Sequence, residues 1–169
     1  MLPIFLFPSA MLITKILFLL LLANGTPVIA KKLLGSRWAY PLDGGISFID
    51  GRALFGNSKT IRGVISSILA TSVGAVFIGY SIQTGVLFST VSLCGDLASS
   101  FIKRRLNLPP STRALGLDQL PESVLPLLFC WQALELDLPT AVTVVFIFFC
   151  GELILSRLLF RLHIRDHPY

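Results

Sequence analysis

The stretch GVLFSTVSLCGDLASSFIKRR, Gly85–Arg105, decides how the rest of the chain is read. From Gly85 to Ile102 its side chains are apolar or small and uncharged except for Asp96, and it then stops on Lys103, Arg104 and Arg105. A run of roughly 20 such residues is long enough to cross a bilayer as a helix. Cations gathered at its end mark the side on which that end stays. A carboxylate one or two turns inside the membrane edge is costly, so Asp96 is a functional candidate by default. On a helix Asp96, Ser99 or Ser100, and Lys103 fall on one face. The plainer reading of Asp96 is an ion pair with a neighbouring helix.

Working outward, comparable apolar runs occupy Ile4–Ala23, Val64–Thr84, Ser123–Asp137 and Leu138–Leu162, the last with Glu152 and Arg157 inside it. Together with Gly85–Ile102 they predict an all-α, polytopic membrane protein of about five transmembrane helices, a single unit over residues 1–169. Composition agrees: 54% of residues are hydrophobic and 14% charged, more apolar surface than a soluble domain of this size can bury. The net charge of +5 would suggest nucleic acid in a soluble protein. Here the cations lie between apolar runs, which the positive-inside rule explains without a nucleic-acid partner. Cys94, Cys130 and Cys150 stand alone in apolar sequence, with no spacing suited to a disulfide or zinc site.

The polar connections Asn24–Arg62 and Lys103–Glu122 and the end of the chain, with Arg157, Arg161 and Arg165, hold every Lys and Arg except Lys15. Five spans put those segments on one side, giving a cell-membrane protein with its N-terminus outside and its C-terminus in the cytosol. A cleaved signal peptide ending near Ala23 is the rival reading, and it would strand Lys31 to Arg62 outside, against the charge pattern. Lys15 and Glu152, the charges deepest in apolar sequence, are expected to pair across helices, or Lys15 to reach a surface.

The first connection carries Pro41-Leu42-Asp43-Gly44-Gly45, then Asp50-Gly51-Arg52 and Phe55-Gly56-Asn57-Ser58-Lys59-Thr60-Ile61-Arg62-Gly63. Glycines let a backbone approach a phosphate, and Lys59 and Arg62 supply charge for it. A solvated, glycine-rich loop whose cations merely set topology is an equal alternative at this point. It is no P-loop, since Asn57 and Ser58 stand where that motif needs glycine before its lysine. The second connection returns Asp118 to the membrane surface. Two carboxylates beside several cations suit magnesium held together with a polyphosphate.

Taken in order, Asn24-x-x-Pro27, Pro-Leu-Asp-x-Gly, Asp-Gly-Arg, Phe-Gly-x-x-Lys-Thr-x-Arg-Gly, Gly-Asp-x-x-x-Ser-Phe-Ile-Lys-Arg-Arg and Leu-Asp-Gln-Leu resemble the CDP-archaeol synthases, strongly over Asn24–Glu122. The tail Ile164–Tyr169 is also similar. The resemblance implies a membrane enzyme related to phosphatidate cytidylyltransferases, which moves CMP from CTP to a glycerolipid phosphate and releases pyrophosphate with Mg2+. It implies that Asp96 and Asp118 hold the metal. Lys59, Arg62, Lys103 and Arg104 would engage phosphates, with Lys59 and Lys103 serving catalysis. Asn24, Asp43 and Asp50 would shape the nucleotide side, and Arg52, Ser99 and Ser100 complete the substrate set. Where the family often has an acid, this chain has Asn57. Where its last helix commonly carries His and Asn, this chain has Gly151, Glu152, Ser156 and Arg157.

Two other classes remain open to the sequence. A small non-enzymatic transporter or membrane subunit would consume no CTP. A CDP-alcohol phosphotransferase would begin Asp-Gly as Asp50-Gly51 does, but Leu54-Phe55 breaks its pattern. The lipid partner the resemblance implies is an archaetidic or a phosphatidic acid, and a homo-oligomer is compatible with the sequence.

Overall fold

Ser9, Thr60, Ser81 and Asp137 each start a helix by accepting a backbone N–H from three residues ahead, from Leu12, Gly63, Thr84 and Thr140. The computed structural model describes residues 9–109, 114 and 116–161, without the side chains of 156, 157, 159 and 160. Its helices are α1 (Ala10–Leu34), α2 (Ile61–Phe77), α3 (Ile82–Arg105), α4 (Gln119–Phe129) and α5 (Leu138–Arg161). Among the described residues no strand forms, and the only bridges are Pro41 with Thr60 and Ser47 with Ala53. The expected all-α class is observed. Helices α1 and α3 and the Leu138–Leu155 part of α5 are long and apolar enough to cross a membrane, while α2 is a shorter apolar helix.

The bundle is inside-out relative to a soluble protein. Along α3 the buried face carries Gly85, Ser89, Ser92, Gly95, Ser99 and Lys103, while Val86, Leu87 and Ile102 face outward. Helix α2 does the same, with Ser67, Thr71 and Ala75 inside and Ile65, Leu69, Val73 and Phe77 outside. Small residues at helix contacts and large apolar ones facing out are what a lipid solvent selects. Gly85 shows how close the contact is: a Cβ there would lie 2.6 Å from the Ser72 Cα and 2.8 Å from the Ala75 Cβ.

Three boundaries differ from the sequence expectation. Helix α1 does not end at Ala23 but runs through Asn24-Gly25-Thr26-Pro27 to Leu34. Its polar side chains bond to its own turns, Asn24 Nδ2 donating to the Leu20 carbonyl at 3.1 Å and Thr26 Oγ1 to Leu22 at 2.8 Å, so they do not compete with the helix. Thr84 belongs to α3, because the chain turns at Ile78–Tyr80 rather than near Gln83. The expected Ser123–Asp137 span is instead α4, four residues earlier and shorter, followed by a turned segment in which Glu135 has a φ of 51°. Residues Ile4–Pro8, Pro110–Arg113 and the tail from Leu162, with His163, Arg165 and His167, lie outside the described residues.

Prolines in α1 and α4 leave carbonyls without their helical partner, and each is met by a serine from another helix. Pro27 strands the Ala23 carbonyl, which accepts Ser67 Oγ at 2.7 Å. Pro126 strands that of Glu122, which accepts Ser92 Oγ at 2.8 Å. Pro121 strands that of Leu117, which accepts Ser99 Oγ at 2.5 Å. The prolines thus become inter-helix bonds, as backbone satisfaction in lipid requires.

Candidate active site

Gly95 sets the site by letting α4 reach α3. A Cβ at this position would lie 2.4 Å from the Pro121 carbonyl oxygen and 2.8 Å from the Glu122 nitrogen. With Ser92 and Ser99 bonding Glu122 and Leu117, the start of α4 is fixed against the turn of α3 that carries Asp96. From α1, Asn24 joins the same level, its Oδ1 3.5 Å from Ser92 Oγ.

The 35–60 connection folds back over this level and is built around Asp43. The Asp43 side chain is buried and accepts N–H groups from Gly45 at 3.0 Å, Phe55 at 2.9 Å and Gly56 at 3.1 Å. Burial alone would raise its pKa, but these bonds to the charged form outweigh it and hold the carboxyl below the ordinary value. Leu42 N–H bonds the Lys59 carbonyl at 2.8 Å, and Ile61 N–H that of Tyr40 at 3.0 Å, closing the loop at its base. The loop's outer turn is clamped to the end of α3. Arg105 donates to Asp50 Oδ1 at 2.5 Å and to the Ala53 carbonyl at 2.6 Å. Its guanidinium also lies 4.9 Å from the ring centres of Phe48 and Phe101. Arg52 returns a bond to the Arg105 carbonyl, and Arg62 bonds that of Arg37.

This frame delivers Lys59 onto α3. Lys59 Nζ lies 2.6 Å from Asp96 Oδ1 and 2.5 Å from Oδ2, with both side chains about one-quarter exposed. Two turns nearer the helix end, Lys103 Nζ lies 2.6 Å from Asp118 Oδ1, and Asp118 Oδ2 accepts the Ala114 N–H at 3.0 Å. Arg104 stands within electrostatic reach of Asp118. Its Nη2 donates to the Pro109 carbonyl at 3.0 Å, while its buried Nε and Nη1 have no hydrogen-bond partner. Lys59, Asp96, Lys103, Asp118, Arg104, Ser99 and Asn24 are therefore brought together. Ser100 is buried beside them on α3. Asp43, Asp50, Arg52 and Arg62 are occupied in building and pinning the loop.

Two carboxylates that the sequence reading placed elsewhere belong to this end of the bundle. Glu122 is buried, its Oε1 has no hydrogen-bond partner, and the charges of Glu152, Asp96, Lys59 and Asp118 all act on it. The expected Lys15–Glu152 pair is absent: Lys15 Nζ lies over the Tyr80 ring, 5.5 Å from its centre. Lys15 is near the start of α1 and Glu152 far along α5, so at 1.5 Å of rise per residue the two sit at different depths. A glutamate inside an apolar run is the signal that marks Glu152. Glu122 stands at the edge of its run and carries no such mark.

Among the described residues no three His, Cys, Asp or Glu side chains form a ready-made metal cage. Magnesium seldom needs one, since it binds through one or two carboxylates, water and substrate phosphates. Asp96 and Asp118, both oxygen ligands beside cations suited to phosphates, fit that mode.

The model of the CDP-archaeol synthase (CarS-like) family matches residues 9–169. The CDP-archaeol synthase of Thermofilum pendens is 34% identical over 155 residues, 87% of this chain and 75% of its own. That of Sulfurisphaera tokodaii is 32% identical over 88% of this chain and 90% of its own. That of Thermococcus kodakarensis is 44% identical over 68% and 70%. A solved structure described as an intramembrane enzyme for archaeal membrane lipids biosynthesis superposes with a TM-score of 0.69 at 26% identity, covering 82% of this chain and 91% of that one. With the fold, the charged end of α3 and the relatives all in agreement, the chain belongs to the CDP-archaeol synthase family.

Proposed function

We propose that this enzyme transfers the cytidylyl group of CTP to the phosphate of an ether-linked archaeal glycerolipid, forming a CDP-activated lipid and pyrophosphate. The observation that carries the reading is the pair of ammonium–carboxylate contacts, Lys59 with Asp96 and Lys103 with Asp118, at one end of a lipid-facing bundle. An oxygen of the lipid phosphate attacks the α-phosphorus of CTP, and the bond to the β-phosphate oxygen breaks. The nucleophile is already anionic, so catalysis lies in positioning and charge rather than in making a base. Two anions must meet, and Lys59, Lys103 and Arg104 lower the repulsion between them. The unpartnered Arg104 nitrogens are donors for phosphate oxygens. Asp96 and Asp118 would hold magnesium, which when bound screens the triphosphate and the departing pyrophosphate.

The membrane supplies the second substrate at the right depth. Lys103, Arg104 and Arg105 end α3 at the level where a lipid headgroup sits, and CTP arrives through the 35–60 loop. By the positive-inside rule this end faces the cytosol and the start of α1 lies outside. Purified protein given labelled CTP, Mg2+ and, in turn, an archaeal ether-lipid phosphate and phosphatidic acid tests the reading. A labelled CDP-lipid from the ether lipid is expected, and no CDP-lipid from either would refute it. Product from phosphatidic acid alone would correct the lipid class.

A further inference from the structure

Both carboxylates suited to the metal are already engaged by ammonium groups. Lys59 Nζ touches both Asp96 oxygens, at 2.6 and 2.5 Å. Lys103 takes Asp118 Oδ1 at 2.6 Å while the Ala114 N–H takes Oδ2 at 3.0 Å. A magnesium ion sits about 2.0–2.1 Å from its carboxylate oxygen. On the side of an oxygen that the ammonium occupies the two would overlap, and on its other lone pair the metal would face that like charge a few ångström away, where repulsion is strong even in a polar site. Ammonium and metal therefore compete for these carboxylates.

We infer that Lys59 and Lys103 are place-holders that make metal binding conditional on the nucleotide. This rests on the cytidylyltransferase reading and adds an order to it. Without nucleotide the four groups neutralise one another, and an incoming divalent cation would have to expel ammonium groups that are mostly buried. A triphosphate supplies new anionic partners for them. The two lysines swing onto phosphate oxygens, the carboxylates are released to the metal, and the combined charge of metal and triphosphate comes closer to balance than either alone. Each lysine thus has two partners in sequence, a carboxylate in the free enzyme and a phosphate in the loaded one. Such an exchange couples the two ligands reciprocally.

The inference separates from the reaction because it is read without turnover. Mn2+ is titrated into the purified protein in detergent, with no nucleotide and no lipid, and free Mn2+ is followed by electron paramagnetic resonance. Wild-type protein should show no tight site. Lys59→Met should bind Mn2+ about 10-fold or more tightly, and Lys59→Met combined with Asp96→Asn should lose that gain. Lys103→Met makes the same prediction independently at Asp118, so the test survives if one variant fails to fold. Equal Mn2+ affinity in wild type and the folded single variants would overturn the place-holder role. If CDP-lipid formation failed while the lysine variants gained Mn2+ affinity, the exchange would stand and the assigned reaction would fall.

Discussion

At the end of the bundle away from the ion pairs, Ile16, Leu19 and Leu20 of α1 pack with Ala75, Phe88, Leu127, Leu134 and Val144, and all are buried. At the other end, the interior holds serines, stranded carbonyls, four carboxylates and the lysines that meet them. The same five helices form both ends, so the difference lies in what each interior is for. The dry end supplies packing, which costs nothing to solvate. The polar end holds groups that lipid cannot solvate; serine–carbonyl bonds and ion pairs match many of them, and buried atoms left unpartnered on Arg104 and Glu122 lie at the site. One end should then answer to mutation in stability and the other in activity.

The largest effect expected is on the dry side. Phe88 is fully buried, and Phe88→Ala should destabilise the protein by about 3–5 kcal/mol, read as a lower melting temperature in detergent, while activity per folded molecule is preserved. Asp96→Asn should do the reverse. It keeps shape but removes the charge that Lys59 and the metal both use, and CDP-lipid formation per folded molecule should fall roughly 10²–10³-fold, with a smaller loss of melting temperature than Phe88→Ala shows. If Asp96→Asn melted early and kept full activity per folded molecule, the division between the ends would be wrong.

What the sequence revealed follows the same division. Hydropathy located α1, α3 and α5 because a long apolar run has few other uses, and helical spacing placed Asp96 and Lys103 on one face. The limits of α1 and α4 were hidden because Asn24, Thr26, Pro121 and Pro126 read locally as helix breakers. Their satisfaction comes from Ser67, Ser92 and Ser99, residues distant in sequence. Which lysine meets which aspartate was equally hidden, since Lys59 reaches Asp96 only through the path of the 35–60 loop. Glu122 was passed over as the edge of a loop because nothing local shows that Gly95 draws it into the bundle.

The serine bonds allow a finer comparison of the two regions. Ser67→Ala leaves the Ala23 carbonyl unmet inside the bundle, and Ser92→Ala does the same for Glu122. Each should cost about 1–2 kcal/mol, the scale of inter-helix side-chain bonds in membranes. Only Ser92→Ala, which loosens α4 beside Asp96, should also lower kcat. Equal kinetic effects from both would mean that α4 placement has no special bearing on the site.

The smallest effect belongs to the loop that covers the polar end. Asp43 has a folded pKa below its ordinary value because three backbone N–H groups bind its charged form. A loosened loop binds that proton more readily, so the stabilisation is fully present above the ordinary aspartate pKa of about 3.9 and is lost as pH falls through the lower folded value. Hydrogen exchange at the Phe55 and Gly56 amides, corrected for intrinsic rates, should therefore stay protected at neutral pH and lose protection only below about pH 4. In Asp43→Asn the protection should already be reduced at neutral pH and should not change further over that acid range. A wild-type loop that opened near neutral pH, where Asp43 is ionised in both states, would show that some other group holds Lys59 over Asp96.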